Sequence, residues 1–218
     1  MVTLYLGRHG TTKLNSEEKL RGWIDVGLNK EGVREAEAMA KAMQKTDIER
    51  LYSSDLDRAD HTAQIVGQYH GLKPIKRSWF RPINYGELEG KLLKDIKPRL
   101  QDLNNIWKKD PTYEAPGGES FQEFQDRNLQ GLQAILDTAM DETEVMLIAH
   151  LRNTLLIHGV ATTGGPLEGE RVQMMDGKHW SQEPGSVSRL EYDQSEQRLY
   201  FRGMFFDPQP ATKMGMVS

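Results

Sequence analysis

The segment Val145-Met146-Leu147-Ile148-Ala149 constrains the fold more than any other part of this chain. An uninterrupted apolar run leaves no polar face for solvent, so as a strand it is buried on both sides. Such a strand belongs in a sheet covered by helices above and below. The rest of the sequence supplies those helices. Behind a cap at Asn29, Lys30 to about Lys45 carries Val33, Ala36, Ala40 and Met43 at helical spacing. Asp57 to His70 carries Ala59, Ala63, Val66 and Tyr69 on one face and stops at Gly71. Ser120-Phe121-Gln122-Glu123 is a capping-box pattern opening a long helix with Phe121, Phe124, Leu132, Ile135, Leu136 and Ala139 on its core face. A further helix follows His150 and stops by Gly164-Gly165.

Short strands alternate with these helices. Val2-Thr3-Leu4-Tyr5-Leu6 and Arg50-Leu51-Tyr52-Ser53-Ser54 read as strands, and Ser186–Tyr192 with Arg198–Phe205 as a terminal hairpin. The expected fold class is α/β, a three-layer α/β/α sandwich with a mostly parallel central sheet. No linker divides the chain, so residues 1–207 are expected to form one domain and 208–218 a flexible tail. Residues 92–116 contain prolines at 98, 111 and 116 and read as less regular. They are assigned as an insertion or lid over the site, with a solvated surface segment as the equal alternative.

Composition narrows the function. A formal net charge of -4 argues against a general binder of nucleic acid or anionic membrane. The absence of cysteine removes disulfides, thiolate nucleophiles and cysteine-ligated metal sites. The first apolar run is too short for a secretory h-region, which needs roughly 7–15 residues. No stretch approaches the ~20 apolar residues of a membrane span. A cytoplasmic location is the expectation, with a monomer and a homodimer equally open.

The chemistry gathers at strand ends. Gly7-Arg8-His9-Gly10 closes the first strand, His150 closes the run that began at Val145, and Arg58 follows the strand ending at Ser54, near a helix N-terminus. Open α/β sheets bind ligands at the carboxyl ends of their strands. Two histidines and two arginines brought together there would hold a phosphoryl group and offer it an imidazole nucleophile.

These residues also carry a resemblance. Arg8-His9-Gly10 with Thr12 and Asn15 resembles the Arg-His-Gly-x-Thr-x-x-Asn signature of the histidine phosphatase superfamily, the phosphoglycerate-mutase-like group. Arg21-Gly22-Trp23-Ile24-Asp25 with Leu28 and Gly32, Ser53 to Ala59 with Thr62-Ala63, and Pro116 to Ser120 with Phe124 and Arg127 are similar to later segments of that family. The resemblance spans about residues 2 to 192. It implies a phosphoglycerate-mutase-like fold and metal-free, cofactor-free transfer through a phosphohistidine on His9. Arg8, Arg58 and a cationic His150 would hold the equatorial oxygens, and Asn15 would add a neutral donor. Arg21, Gly22, Leu151 and Arg152 are the further substrate-binding candidates. For Arg21 the alternative is a surface pair with Asp25, and for Arg152 a place on the helix surface. The implied partner is a small phosphorylated substrate.

Two departures stand out. Where the family has a glutamate acid, Phe80-Arg81-Pro82-Ile83-Asn84-Tyr85-Gly86 presents Pro82, which carries no proton to donate. Glu87 is the candidate replacement and Glu89 the second choice. Leu151 follows His150 where the family has glycine. A phosphomonoester hydrolase is therefore the leading reading. A phosphoglycerate mutase and a phosphate-binding protein with weakened catalysis are the rivals. His61, His70, His158 and His179 read as structural or surface groups, and Trp107 and Trp180 as packing or as a pocket rim.

Overall fold

A computed structural model of the chain describes residues 1–163 and 182–208. The central sheet has six strands: β1 (Val2–Arg8), β2 (Ile48–Ser54), β3 (Ile75–Arg77), β4 (Glu144–Ala149), β5 (Val187–Asp193) and β6 (Arg198–Phe206). Their order is β3-β2-β4-β1-β5-β6. β3, β2, β4 and β1 pair in parallel, and β5 runs antiparallel to both β1 and β6. The expected α/β sheet, mostly parallel with a terminal hairpin, is what forms. The three-residue β3 had no strand pattern in the sequence. It exists because it pairs with Tyr52–Ser54 of β2.

Six α-helices occur among the described residues: α1 (Lys13–Ser16), α2 (Lys30–Met43), α3 (Asp57–His70), α4 (Leu93–Lys109), α5 (Phe121–Asp137) and α6 (Leu151–Thr163). Alternation along the strands decides which helix lies on which face. Met146 and Ile148 of β4, with Tyr5 and Leu51, pack against Ala36, Met39, Ala40 and Met43 of α2 and Ala59, Ala63 and Val66 of α3. Val145, Leu147 and Ala149, with Leu4 and Leu6, join Phe124, Leu132 and Leu136 of α5 and Leu156, Ile157 and Val160 of α6. All five apolar residues of the Val145–Ala149 run are 0% exposed, because each face of β4 meets a helical layer. Each of the four larger side chains, Val145 to Ile148, contributes roughly 1.5–3 kcal/mol of burial free energy.

Residues 92–116 differ from their irregular reading. Most of the segment is the 17-residue helix α4. Pro98 lies on its exposed side, while Ile96, Leu103 and Trp107 are buried and half-buried Leu100 packs beside them. The narrow stripe at 96, 100, 103 and 107 outweighs the one backbone hydrogen bond that proline removes. Trp107 is therefore packing: its ring stands 6.1 Å from Tyr85 and 6.2 Å from Phe121, and its Nε1 donates to Tyr113 O. Gly164-Gly165, His179, Trp180 and all of the tail beyond Pro208 lie outside the described residues. No described helix is long and apolar enough to cross a membrane.

Candidate active site

Strands β1 and β4 are neighbours in register, Arg8 opposite Ala149, so their two terminal histidines meet. The His9 backbone N–H donates to Ala149 O, which fixes the junction. The His9 and His150 rings lie edge to face, 5.0 Å between centroids. Arg58, at the start of α3, closes the third side. Its Nε donates to His150 Nδ1 at 3.3 Å, its Nη1 to Ile24 O at 2.9 Å and its Nη2 to Gly22 O at 2.8 Å. Arg8 donates through Nη1 to Gln182 O, and its Nε is buried without a hydrogen-bond partner among the described residues. Four side chains separated by up to 142 positions in sequence thus converge, and exposures of 6% for Arg8, 1% for His9, 1% for Arg58 and 3% for His150 show that all four are almost fully buried.

Hydrogen bonding fixes the protons. His9 Nδ1 lies 2.7 Å from Gly10 O, and a carbonyl only accepts, so Nδ1 carries the hydrogen and Nε2 the lone pair. Arg58 only donates, so His150 Nδ1 holds a lone pair and Nε2 holds the proton. His150 Nε2 is buried with no protein partner among the described residues, which leaves a donor for an anion. Burial, then the charges of Arg58, Arg8 and Arg21, hold the His9 imidazole well below the usual histidine range. Burial and then Arg58 do the same to His150. Burial and the Arg58 guanidinium thus favour a neutral His150 over the cationic one that the resemblance implied. A positive ring would face the Arg58 guanidinium and lose the lone pair that accepts from it. Burial pushes both Arg8 and Arg58 down to about 10, with the Arg21 charge as the next cause. Both remain cations at neutral pH.

The other sequence candidates have definite places. Arg21 is half-buried, and its charge acts on both arginines and both histidines. Asp25 instead accepts from the Asp57 backbone N–H, so the geometry favours the pocket side for Arg21. Gly22 adopts φ +48°, and a Cβ there would lie 1.8 Å from Glu89 Oε1. Glycine permits this turn, and the turn aims its carbonyl at Arg58. Asn15 uses its Oδ1 to accept from Thr12 N and Oγ1, closing a capping box, while its Nδ2 has no protein acceptor among the described residues. Leu151 opens α6, whose first hydrogen bond runs from Thr154 N to His150 O. The preceding N–H groups of that turn are unpaired within the helix, so position 151 offers backbone rather than side chain to an anion. Arg152 is half-buried with its guanidinium 5.9 Å from the Tyr85 ring centre.

The two glutamates separate clearly. Glu87 is exposed on a short turn, Gly86–Leu88, beside Gly117. Glu89 is half-buried and accepts from the backbone N–H groups of Trp23 and Tyr85 at 2.9–3.0 Å. Amide N–H groups only donate, so they hold Glu89 as an acceptor that ties segments together, while burial pushes its pKa up. Pro82 sits in a clamped turn: its carbonyl accepts from Trp23 Nε1 and Arg127 Nη2, each at 2.8 Å. Arg127 Nη1 also donates to Trp79 O and Arg81 O, and Asn153 Nδ2 to Phe80 O and Arg81 O. Trp23 and Arg127 belong to segments that carry the resemblance, but nothing in the sequence showed that they and Asn153 anchor this turn. Glu35, buried on α2 against Thr11, was also missed, because a glutamate in an amphipathic helix looks like a solvated one. His158 is a core group, with Nε2 2.7 Å from Ser188 Oγ and its ring edge-on to Phe201. Among the described residues no group of three or more His, Cys, Asp or Glu is placed to hold a metal ion.

The chain is similar to known proteins along most of its length. The family model of the histidine phosphatase superfamily (branch 1) matches residues 4–202. An uncharacterized phosphatase, PhoE, of Bacillus subtilis is 27% identical over 91% of this chain and 93% of its own length. A probable phosphoglycerate mutase, GpmB, of Serratia proteamaculans is 30% identical over 74% of this chain and 71% of its own. Among solved structures, YhfR of Bacillus stearothermophilus superposes with a TM-score of 0.72 at 27% identity, covering 93% of this chain and 95% of that one.

Proposed function

The chain belongs to branch 1 of the histidine phosphatase superfamily, and from that premise we propose that it is a metal-independent phosphomonoester hydrolase acting through a phosphohistidine on His9. One observation carries this reading. His9 donates from Nδ1 to its own neighbour's carbonyl, so its Nε2 lone pair is free inside a pocket lined by two arginines and a histidine N–H.

Nε2 attacks phosphorus in line, the N–P bond forms, and the P–O bond to the leaving group breaks with its electron pair on oxygen. Arg8, Arg58 and the Nε2–H of His150 take the equatorial oxygens, and Asn15 Nδ2 and the Leu151 backbone N–H add neutral donors. Charge spread over those oxygens is stabilised by donors already fixed in place, which is the main resource of phosphoryl transfer. Water then cleaves the N–P bond. Because both histidines are neutral, the two arginines supply the positive charge at the phosphate, and Arg21 extends that field toward the mouth.

The leaving group departs on the side of the Pro82 turn. Glu87 is the proposed proton donor there, since Glu89 is committed to amides. Arg152 and Arg21 suit a small substrate carrying a second anionic or polar group. The residues 92–116 cover this side, and the protein works in the cytoplasm.

Release of phosphate from para-nitrophenyl phosphate at mildly acidic pH, with chelator present, tests the reading. Chelator-insensitive turnover is expected, and His9→Ala should lower it on the order of 10³-fold or more while leaving the melting temperature within a few degrees. No turnover by the wild type, with vanadate still raising its melting temperature, overturns hydrolysis in favour of phosphate binding. Phosphate exchange between phosphoglycerates faster than release to water would make it a mutase.

A further inference from the structure

Glu35 is an unusual group to find buried. It lies on α2 at 7% exposure, and no described cation forms a salt bridge with it. Both carboxylate oxygens turn to one residue: Thr11 N donates to Oε2 at 2.6 Å and Thr11 Oγ1 to Oε1 at 3.0 Å. The clamp uses two acceptor oxygens, where a neutral amide has one, and burying the charge carries a cost. The negative charge also acts on the buried Arg8 of the same loop.

The position of Thr11 suggests a further role for that charge. Its N–H belongs to the same peptide unit as the Gly10 carbonyl, the group that accepts from His9 Nδ1 at 2.7 Å. No cis peptide occurs among the described residues, so this unit is trans and planar, with N–H and C=O pointing in opposite directions. Holding the N–H toward Glu35 therefore holds the C=O toward His9. The rest of the loop is pinned to agree. Gly10 N donates to Thr62 Oγ1 at 3.1 Å, and Asn29 N donates to Thr11 O at 3.0 Å. Gly10 and Gly32 touch backbone to backbone, so closely that a Cβ on Gly10 would lie 2.3 Å from Gly32 O.

We propose that Glu35 is a positioning residue that acts on the nucleophile through one peptide bond, orienting and polarising the Gly10–Thr11 unit so that Gly10 O keeps the proton on His9 Nδ1. The arrangement places a carboxylate, a peptide and an imidazole in line. Linked hydrogen bonds polarise one another, so negative charge at Glu35 makes Gly10 O a better acceptor. As Nε2 bonds to phosphorus the ring gains positive charge, Nδ1 keeps its hydrogen, and the stronger Nδ1–H to Gly10 O bond stabilises that charge. The inference rests on His9 being the nucleophile.

Ring-¹⁵N-labelled histidine NMR at neutral pH, on wild type, Glu35→Gln and Glu35→Asp, tests it alongside acid-quenched measurement of phosphoenzyme formation. Wild-type His9 should carry its proton on Nδ1. Glu35→Gln loses the charge and one of the two acceptor oxygens, and should shift the ring toward the Nε2–H tautomer. Phosphoenzyme formation should then slow about tenfold with KM within about twofold. Glu35→Asp keeps the charge and should keep the Nδ1–H form. A wild-type proton on Nε2, or a His9 tautomer and rate unchanged in Glu35→Gln, overturns the proposal. Should the wild type lack His9-dependent turnover, the functional reading fails, but the tautomer still decides whether Glu35 governs His9.

Discussion

The two ends of the pocket are built differently. At the phosphate end the two arginines and two histidines are buried and held: His9 to Gly10 O, Arg8 to Gln182 O, Arg58 to Ile24 O and Gly22 O, and His150 by Arg58 Nε. At the leaving-group end, Glu87 is exposed, Arg21 and Arg152 are half-buried, and the expected acid position is a proline whose carbonyl is clamped by Trp23 and Arg127. The first end is fixed before substrate arrives, which is what electrostatic stabilisation requires. The second is anchored through backbone, with its charged side chains exposed or half-buried. On the proposed function, the difference separates a constant demand for phosphoryl from a looser demand on what carries it.

The phosphate end should respond most strongly to substitution. Removing one of its donors, by Arg58→Ala or His150→Ala, is expected to lower kcat on the order of 10²-fold, as loss of a fixed transition-state donor does elsewhere. Steady-state kinetics at saturating substrate would measure it. A change confined to KM would show that these groups bind ground state and transition state alike, and the contrast between the ends would collapse.

At the other end the effect should depend on the substrate. Glu87→Gln should lower turnover of an alkyl phosphate about tenfold while changing that of an aryl phosphate by less than about threefold, since a good leaving group needs little protonation. Equal rates for both proteins on the alkyl ester would remove Glu87 from the mechanism and leave water as the donor.

The smallest predicted effect is on stability. The folded-state pKa values of His9 and His150 are both depressed, chiefly by burial. An unfolded histidine protonates near about pH 6.5, so below that pH the unfolded chain binds protons that the folded chain refuses. Stability from these groups is therefore full above about pH 6.5 and declines as pH falls. Melting temperatures between pH 7 and pH 5 should drop for the wild type and drop less for a His9→Asn/His150→Asn double variant. Phosphate, by supplying the opposing charge, should recover part of the loss. An identical slope in both proteins would mean that the histidines titrate normally and that the pocket is wetter than its burial indicates.

Much of the phosphate end was legible because its residues follow strands that announce themselves. The apolar runs leading to His9 and to His150 gave the strand ends, and the amphipathic helix after Ser54 placed Arg58. The leaving-group end was harder to read. Pro98 disguised α4, although its apolar stripe at 96, 100, 103 and 107 was present throughout. β3 has no pattern of its own and depends on β2 for its pairing. Glu87 and Glu89 look interchangeable in sequence. Only the turn at Gly22, which brings the Trp23 N–H to the Glu89 carboxylate, distinguishes them.

The sequence by itself determined the layered α/β fold and the identity of the residues at the strand ends, since periodicity and strand termini are local properties carried by neighbouring side chains. The tertiary structure decided which nitrogen of each histidine faces an acceptor or a donor, that His150 lies against the Arg58 guanidinium, and that Glu35 faces the loop beside His9. Those outcomes depend on donors and charges supplied by segments far apart in the chain. A proton's position is set by the groups around it in space, and the order of residues along the chain does not specify them.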